Sequence, residues 1–496
     1  MVKISTSLPN ALIALDRSSA TSLHRQLYDQ VRDAILSGRL TPGMRLPPSR
    51  ELAGELGIAR NTVMNAFDQL HAESYLERKV GDGTYVSRQL PDDLLQVKGV
   101  RRTEERPATN GAALSRWGAT VAAIQTRPGL YRGKPRPFRT STPALDAFPY
   151  KLWGQLLARR WGQSAEQLLV YGESAGYLPL RQAIASYLST SRGVRCTAQQ
   201  LIIVAGSQHG LEIVTRLLLE PGDPAWIEDP GFLGARAALA GAGAQVIPVP
   251  VAADGLNIAA GLERCAYPRL IYVTPSHQYP LGMTLPLRQR LALLKLAAET
   301  GAWIIEDDYD SEFRYTGRPL AALQGLDTER RVIYIGTLSK VLFPSIRIGY
   351  IVAPVGLFDP FVRARSLSGH QSPTLEQAVL ADFISEGHFA RHIRRMRSLY
   401  AERQSALVKA GRRELQGFLE LPPNDAGMHL MGWLPEGVDD RAAFHAAAEH
   451  GVEVTPLSAY CLEQRNRGAL RLGYTGYSPR EIWSGVRRLA AALRGA

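Results

Sequence analysis

Lys340 stands in Gly336-Thr337-Leu338-Ser339-Lys340, directly after the apolar run Val332-Ile333-Tyr334-Ile335. Earlier in the chain, Asp307 sits in the acidic cluster Glu306-Asp307-Asp308-Tyr309, itself preceded by Ala302-Trp303-Ile304-Ile305. An amine at one strand end and a carboxylate at another define a recognisable chemistry. The amine forms a Schiff base with an aldehyde, and the carboxylate keeps a pyridine nitrogen protonated, as pyridoxal phosphate requires. Other residues suit the same cofactor. After Leu201–Val204, the turn Ala205-Gly206-Ser207-Gln208 opens a helix whose free N–H groups can hold a phosphate at Gly206, Ser207 and Gln208. Arg347 offers that phosphate a cation, beside the hydroxyls of Thr337 and Ser339. Phe232 follows Ala225-Trp226-Ile227 and is placed to stack on the pyridine ring, with Tyr309 within reach of the phenolic oxygen. Taken singly, Phe232 reads as core and a strand-end lysine as exposed surface; it is the repetition at five strand ends that carries the set.

The elements that must position these residues are short apolar runs alternating with helical stretches. With Leu270-Ile271-Tyr272-Val273 the runs number five, and their alternation with helices predicts an α/β domain with a mostly parallel sheet. In such sheets ligands bind beyond the carboxyl ends of the strands, where these residues fall.

The first ninety residues are built differently. Leu23, Leu27, Val31, Ala34 and Ile35 keep helical spacing up to Ser37-Gly38. Ser49 reads as the N-cap of a short helix from Arg50 to Leu56, stopped by Gly57, and a second helix runs from Arg60 to Ala72. Tyr75–Lys79 and Thr84–Ser87, joined through Gly81-Asp82-Gly83, form a hairpin. This is a winged helix-turn-helix for double-stranded DNA. Arg60, Asn61 and Thr62 in the first turn of its second helix would face base edges, while Arg50 and Lys79, with Gly81 at the wing tip, would meet the backbone. Each alone is an ordinary surface residue; the complete order of elements gives them meaning.

The net charge of +12 is uneven. Residues 91–139 hold 10 lysines and arginines against 4 acids, while residues 1–90 hold 11 against 9. The expected organisation is a DNA-binding domain at 1–88, a basic linker at 89–139 that includes Arg101–Pro107 and a short helix within Leu114–Gln125, and a large domain at 140–496. A basic connector suits phosphate attraction near DNA, and equally suits plain solvation. Three scattered cysteines make neither a disulfide framework nor a metal site, and no apolar stretch reaches membrane length, so the expectation is a cytoplasmic protein.

Leu46-Pro47-Pro48-Ser49-Arg50-Glu51-Leu52-Ala53, Gly57-Ile58-Ala59-Arg60-Asn61-Thr62-Val63 and Gly81-Asp82-Gly83-Thr84-Tyr85-Val86 resemble the GntR family of bacterial regulators. Ala59 departs from it, since the family usually caps the recognition helix with Ser or Thr there. Residues 140–495 resemble the fold-type I aminotransferases, and the two halves in this order are similar to the MocR subfamily of GntR regulators. The resemblance implies a winged helix-turn-helix plus a PLP-dependent transferase (fold type I) domain, with pyridoxal 5'-phosphate as cofactor. It also implies a head-to-tail homodimer in which Tyr171 reaches the neighbouring subunit's phosphate. Arg471, in Ala469-Leu470-Arg471-Leu472-Gly473-Tyr474, matches the arginine that binds a substrate carboxylate, and is otherwise a strand-edge arginine. The string Thr274-Pro275-Ser276-His277-Gln278-Tyr279-Pro280 is close to the subfamily's, so Tyr279 and His277 join Arg471 on the effector side. True aminotransferases usually carry Asn where Tyr279 stands. The implied function is a regulator, not an enzyme, that senses a small amino acid or amine as an external aldimine displacing Lys340. The alternative is a genuine PLP-dependent aminotransferase tethered to DNA.

Overall fold

A computed structural model of the chain describes residues 13–19, 21–79, 81–90, 114–124, 135–317 and 320–495. They fall into two compact units, one ending at Ala113 and the other beginning at Leu114.

In the first unit, helices α1 (Leu23–Leu36), α2 (Ser49–Glu55) and α3 (Arg60–Ala72) precede an antiparallel hairpin, β1 (Leu76–Lys79) and β2 (Gly83–Val86). The helical spacing places Val63, Ala66, Phe67 and Leu70 on one buried face of α3, against Leu27, Val31 and Ile35 of α1. Each large apolar side chain buried there contributes roughly 1.5–3 kcal/mol. Gly57 takes φ +61 in the turn between α2 and α3, a left-handed conformation that costs glycine little. One expectation is corrected. Ser49 does not cap α2: Pro48 holds the cap position, and the Ser49 hydroxyl instead accepts from Arg60 Nε at 3.3 Å. At the start of α3 the extended residue Ala59 supplies no side-chain cap. Ala59→Ser should therefore raise the head's stability by about 1 kcal/mol, read as a later midpoint of its denaturant transition in the full chain.

In the second unit eight strands form one sheet in the order β3 (Leu201–Val204), β10 (Gly349–Val352), β9 (Val332–Thr337), β8 (Trp303–Asp308), β7 (Leu270–Val273), β4 (Pro224–Asp229), β5 (Gln245–Ala252) and β6 (Gly255–Leu256). The pairings from β9 through β8, β7 and β4 to β5 are parallel, and the outer ones antiparallel. A smaller antiparallel sheet follows, β11 (His429–Trp433), β13 (Ala469–Gly473) and β12 (Thr455–Pro456), with β13 in the middle. The five expected strands are all present. Three run further than the apolar runs, because β4 continues through Asp229, β8 through Asp308 and β9 through Thr337.

The boundary expected between linker and body shifts. Phe138 is fully buried in the body's core, and Pro137 O accepts from Glu453 N. The helix Arg116–Ala123 also belongs to this unit. Its Trp117 donates from Nε1 to Gly241 O at 2.5 Å, and the Arg216 guanidinium lies 5.7 Å from the Trp117 ring. Arg101–Pro107 lies outside the described residues. No helix among the described residues is long and apolar enough to cross a membrane.

Candidate cofactor and effector site

Successive residues of a strand point to opposite faces, and β8 uses this to separate two neighbouring carboxylates. Asp308 points to one face, where it accepts from Tyr334 OH at 2.6 Å and pairs with Arg192 at 2.8 Å. Burial raises its pKa, but Arg192 and these hydrogen bonds win and hold it below the usual range. Asp307 points to the other face, shared with Ile305 and Tyr272 and covered by the helix Ser207–Leu218. Its Oδ2 accepts from Tyr272 OH at 2.8 Å, while its Oδ1 is buried with no hydrogen-bond partner. Burial pushes this carboxyl up to about 7. A buried acceptor left unmatched costs about 1–3 kcal/mol, so the pocket is suited to a donor that arrives with a ligand.

Thr337 ends β9 on the face that Asp307 uses, and Ser339 and Lys340 follow. The Ser339 hydroxyl is likewise buried without a partner. Arg347, at φ +48, donates from Nη2 to Ala205 O at 2.8 Å. Its guanidinium lies flat beside Gly206, where an added Cβ would stand 3.2 Å from it. Gly206, at φ +86, is the N-cap residue of the twelve-residue helix Ser207–Leu218. Free N–H groups, two hydroxyls and a guanidinium therefore converge on one spot suited to a phosphate.

A cavity of about 970 Å³ joins these parts. Ser207, Gln208, Phe232, Tyr279, Asp307, Tyr309, Thr337, Ser339, Lys340, Arg347 and Arg471 all line it. Arg471 lies on the central strand β13, not on a strand edge, and is buried. It donates from Nη2 to Thr140 Oγ1, and its guanidinium lies 4.7 Å from the Tyr279 ring and 5.1 Å from the Tyr460 ring. Tyr279 also meets Phe232 and Tyr309 edge-on, at 5.3 and 5.6 Å between ring centroids. This chamber, with a cation gripped between aromatic faces, suits an acidic group on a small ligand.

Two expected residues lie elsewhere. His277 is buried behind Tyr309 and does not line the cavity, so the structure corrects its assignment as an effector contact. Tyr171 is 87% exposed and stands away from this chain's own cavity. Tyr272, Tyr460, Thr140 and the docking of the expected short helix through Trp117 have no counterpart among the sequence expectations. Only Tyr272 left a signal, as a polar-tipped residue within an otherwise aliphatic strand. In the head, Arg50, Arg60, Asn61, Lys79 and Gly81 are exposed and Thr62 is half-buried. Lys79 Nζ lies 4.8 Å from the Tyr85 ring.

Residues 23–86 match the family model of bacterial regulatory proteins, gntR family, and residues 149–489 match that of aminotransferase class I and II. The chain is 44% identical to the probable rhizopine catabolism regulatory protein MocR of Rhizobium meliloti, over 97% of this chain and 96% of that one. It is 33% identical to the HTH-type transcriptional regulator TauR of Rhodobacter capsulatus, over 95% and 97% of the two chains. Among solved structures, the α-aminoadipate aminotransferase LysN of Thermus thermophilus, complexed with N-(5'-phosphopyridoxyl)-L-leucine, superposes with a TM-score of 0.67 at 30% identity. The match covers 72% of this chain and 92% of that one.

Proposed function

This chain belongs to the MocR branch of the gntR family of bacterial regulatory proteins, and on that premise we propose that it senses a small amino compound in the cavity around Lys340. It is a DNA-binding transcriptional regulator whose body has the fold of pyridoxal-phosphate aminotransferases, and pyridoxal phosphate is its cofactor. When bound, that cofactor supplies an aldehyde carbon for a primary amine and a ring nitrogen that takes a proton. The unmatched oxygen of Asp307, in the same cavity as Lys340 and Arg471, is the observation that carries the reading. Asp307 holds the proton at the ring nitrogen. Ser207, Gln208, Thr337, Ser339 and Arg347 bind the phosphate around Gly206, and Phe232 packs on the ring. Lys340 would hold the aldehyde carbon, and Arg471, packed against Tyr279, would orient the acidic group of an effector whose amine competes for it.

The body serves sensing and not steady turnover, in keeping with Tyr279 at a position where aminotransferases use Asn. Two bodies pair head-to-tail, so that the partner subunit's Tyr171 reaches the phosphate. The exposure of Trp161 (56%), Leu169 (66%) and Val170 (60%), in the helix that leads to Tyr171 and just beyond it, supports a surface covered by a second copy.

The test is a screen of amino acids, sulfonates and amines for an absorbance change in the cofactor-loaded protein, followed by footprinting on its promoter. A true effector should shift both, with an operator affinity change of roughly 5–150-fold. If every compound that shifts the spectrum leaves the footprint untouched, the sensing role fails. For the head, Arg60→Ala should cost roughly 1–3 kcal/mol and relax sequence preference at one position, measured against a panel of mutated operators.

A further inference from the structure

His277 has a buried environment that the proposed function leaves unused. Its side chain is 1% exposed and that of Asp310 0%, and its Nδ1 lies 3.1 Å from both Asp310 oxygens and 2.9 Å from Tyr309 OH. Its Nε2 lies 3.2 Å from Asn424 Nδ2. The ring fits a slot between two glycines that take left-handed conformations. A Cβ at Gly427 (φ +96) would stand 2.0 Å from the imidazole Cε1, and one at Gly282 (φ +87) would stand 3.1 Å from Nε2.

The contacts of Asn424 decide where the imidazole proton is. Its Oδ1 accepts from Asp425 N at 2.9 Å, and its Nδ2 donates to Gly282 O at 3.0 Å. A backbone N–H can only donate and a carbonyl can only accept, so the amide has one orientation. Nδ2 therefore donates to His277 Nε2, which must carry a lone pair. An imidazolium, or the tautomer protonated at Nε2, would set two donors face to face. The proton consequently sits on Nδ1, between Asp310 and Tyr309. Tyr309 cannot donate to a nitrogen that already bears hydrogen; its oxygen accepts, and its own hydrogen is left for the cavity that Tyr309 lines.

We infer that His277 is a positioning residue: fixed as its Nδ1–H tautomer by Asn424, it shares its one Nδ1 hydrogen between Asp310 and the Tyr309 oxygen and so aims the Tyr309 hydrogen at the phenolic oxygen of the cofactor. This rests on the cofactor reading above. The other groups facing this cluster do not supply the proton. His429, 5.3 Å from His277 between ring centroids, is kept neutral by burial first and then by Arg471. Asp307 and Arg471 act on Tyr309 only through charge.

Two measurements test the inference. In the cofactor-free protein with ¹⁵N-labelled histidines, the resonance lost in His277→Phe should belong to a neutral ring protonated at Nδ1. The opposite tautomer overturns the inference, and this result does not depend on the cofactor. In the loaded protein, His277→Phe should raise the pH midpoint of the lysine-linked chromophore by roughly one unit, the worth of about one hydrogen bond to the phenolic oxygen. In a Tyr309→Phe background the same change should move the midpoint no further, because His277 acts only through that hydroxyl. Additive shifts, or no shift in the single variant, overturn the inference. Should His277→Phe fail to fold, Asn424→Leu keeps the imidazole and removes the donor that fixes its tautomer, and its midpoint should also rise. A wild-type protein that forms no chromophore with Lys340 would instead mark failure of the cofactor reading.

Discussion

Lys340→Ala should abolish the absorbance of lysine-linked pyridoxal phosphate and, with it, every change in operator affinity produced by an effector. Operator binding itself should stay within about twofold of wild type, because Arg60 and Asn61 belong to a separate compact unit. The expected loss is the whole coupling, an energy of roughly 1–3 kcal/mol between effector and operator. Spectrophotometric titration beside a filter-binding assay measures both quantities on one preparation. An effector response that persists in the variant would remove the lysine from the sensing account, whatever the cofactor does.

Asp307→Asn should weaken cofactor binding by roughly 150- to 5,000-fold, since removing one partner of a buried charge pair costs about 3–5 kcal/mol. Equilibrium dialysis against pyridoxal phosphate measures this. The same variant carries a pH signature in the cofactor-free protein. The folded carboxyl titrates at about 7, raised by burial from 3.8, so between those values the folded state keeps a proton that the unfolded chain has lost. The contribution of Asp307 to stability is therefore full below about pH 4 and falls as pH rises towards 7, by at most about 1.4 kcal/mol per unit. Glu228, Glu306 and Glu312 are raised by burial in overlapping windows, to about 7, 6 and 7. The difference between wild type and Asp307→Asn in denaturant titrations at pH 5 and pH 7 isolates the one group. Equal pH slopes in the two proteins would contradict the assignment.

What the chain discloses before folding depends on where its information is local. Lys340, Asp307 and Gly206 each follow an apolar run, and a strand end is visible in the run itself. Helix α3 was legible to the residue, because Val63, Ala66, Phe67 and Leu70 repeat on one face. Strand β5 was hidden by Pro248 and Pro250. Those prolines are tolerated because they share one parity, and β6 pairs only with Val251 and Ala252, leaving the strand's outer edge largely open. Tyr460 and Thr140 could not be assigned. Their roles exist only once β13 places Arg471 between segments hundreds of residues apart, and nothing local in either neighbourhood announces the meeting. His277 failed for a subtler reason. Its motif contributes Tyr279 to the cavity lining, but motif membership does not say whether a side chain enters the cavity or stands behind one that does.

The alternation along β8 constrains how this sequence can evolve. Asp307 faces the cavity and Asp308 the Arg192 pair only while the strand keeps its present frame. Deleting one residue upstream within β8 would turn Asp308 towards the cavity and leave Tyr309 opposite Arg192, and inserting one would turn Asp307 towards Arg192 and Glu306 towards the cavity. Substitutions can explore this strand one side chain at a time, whereas length changes of a single codon cannot pass through it without dismantling both faces together.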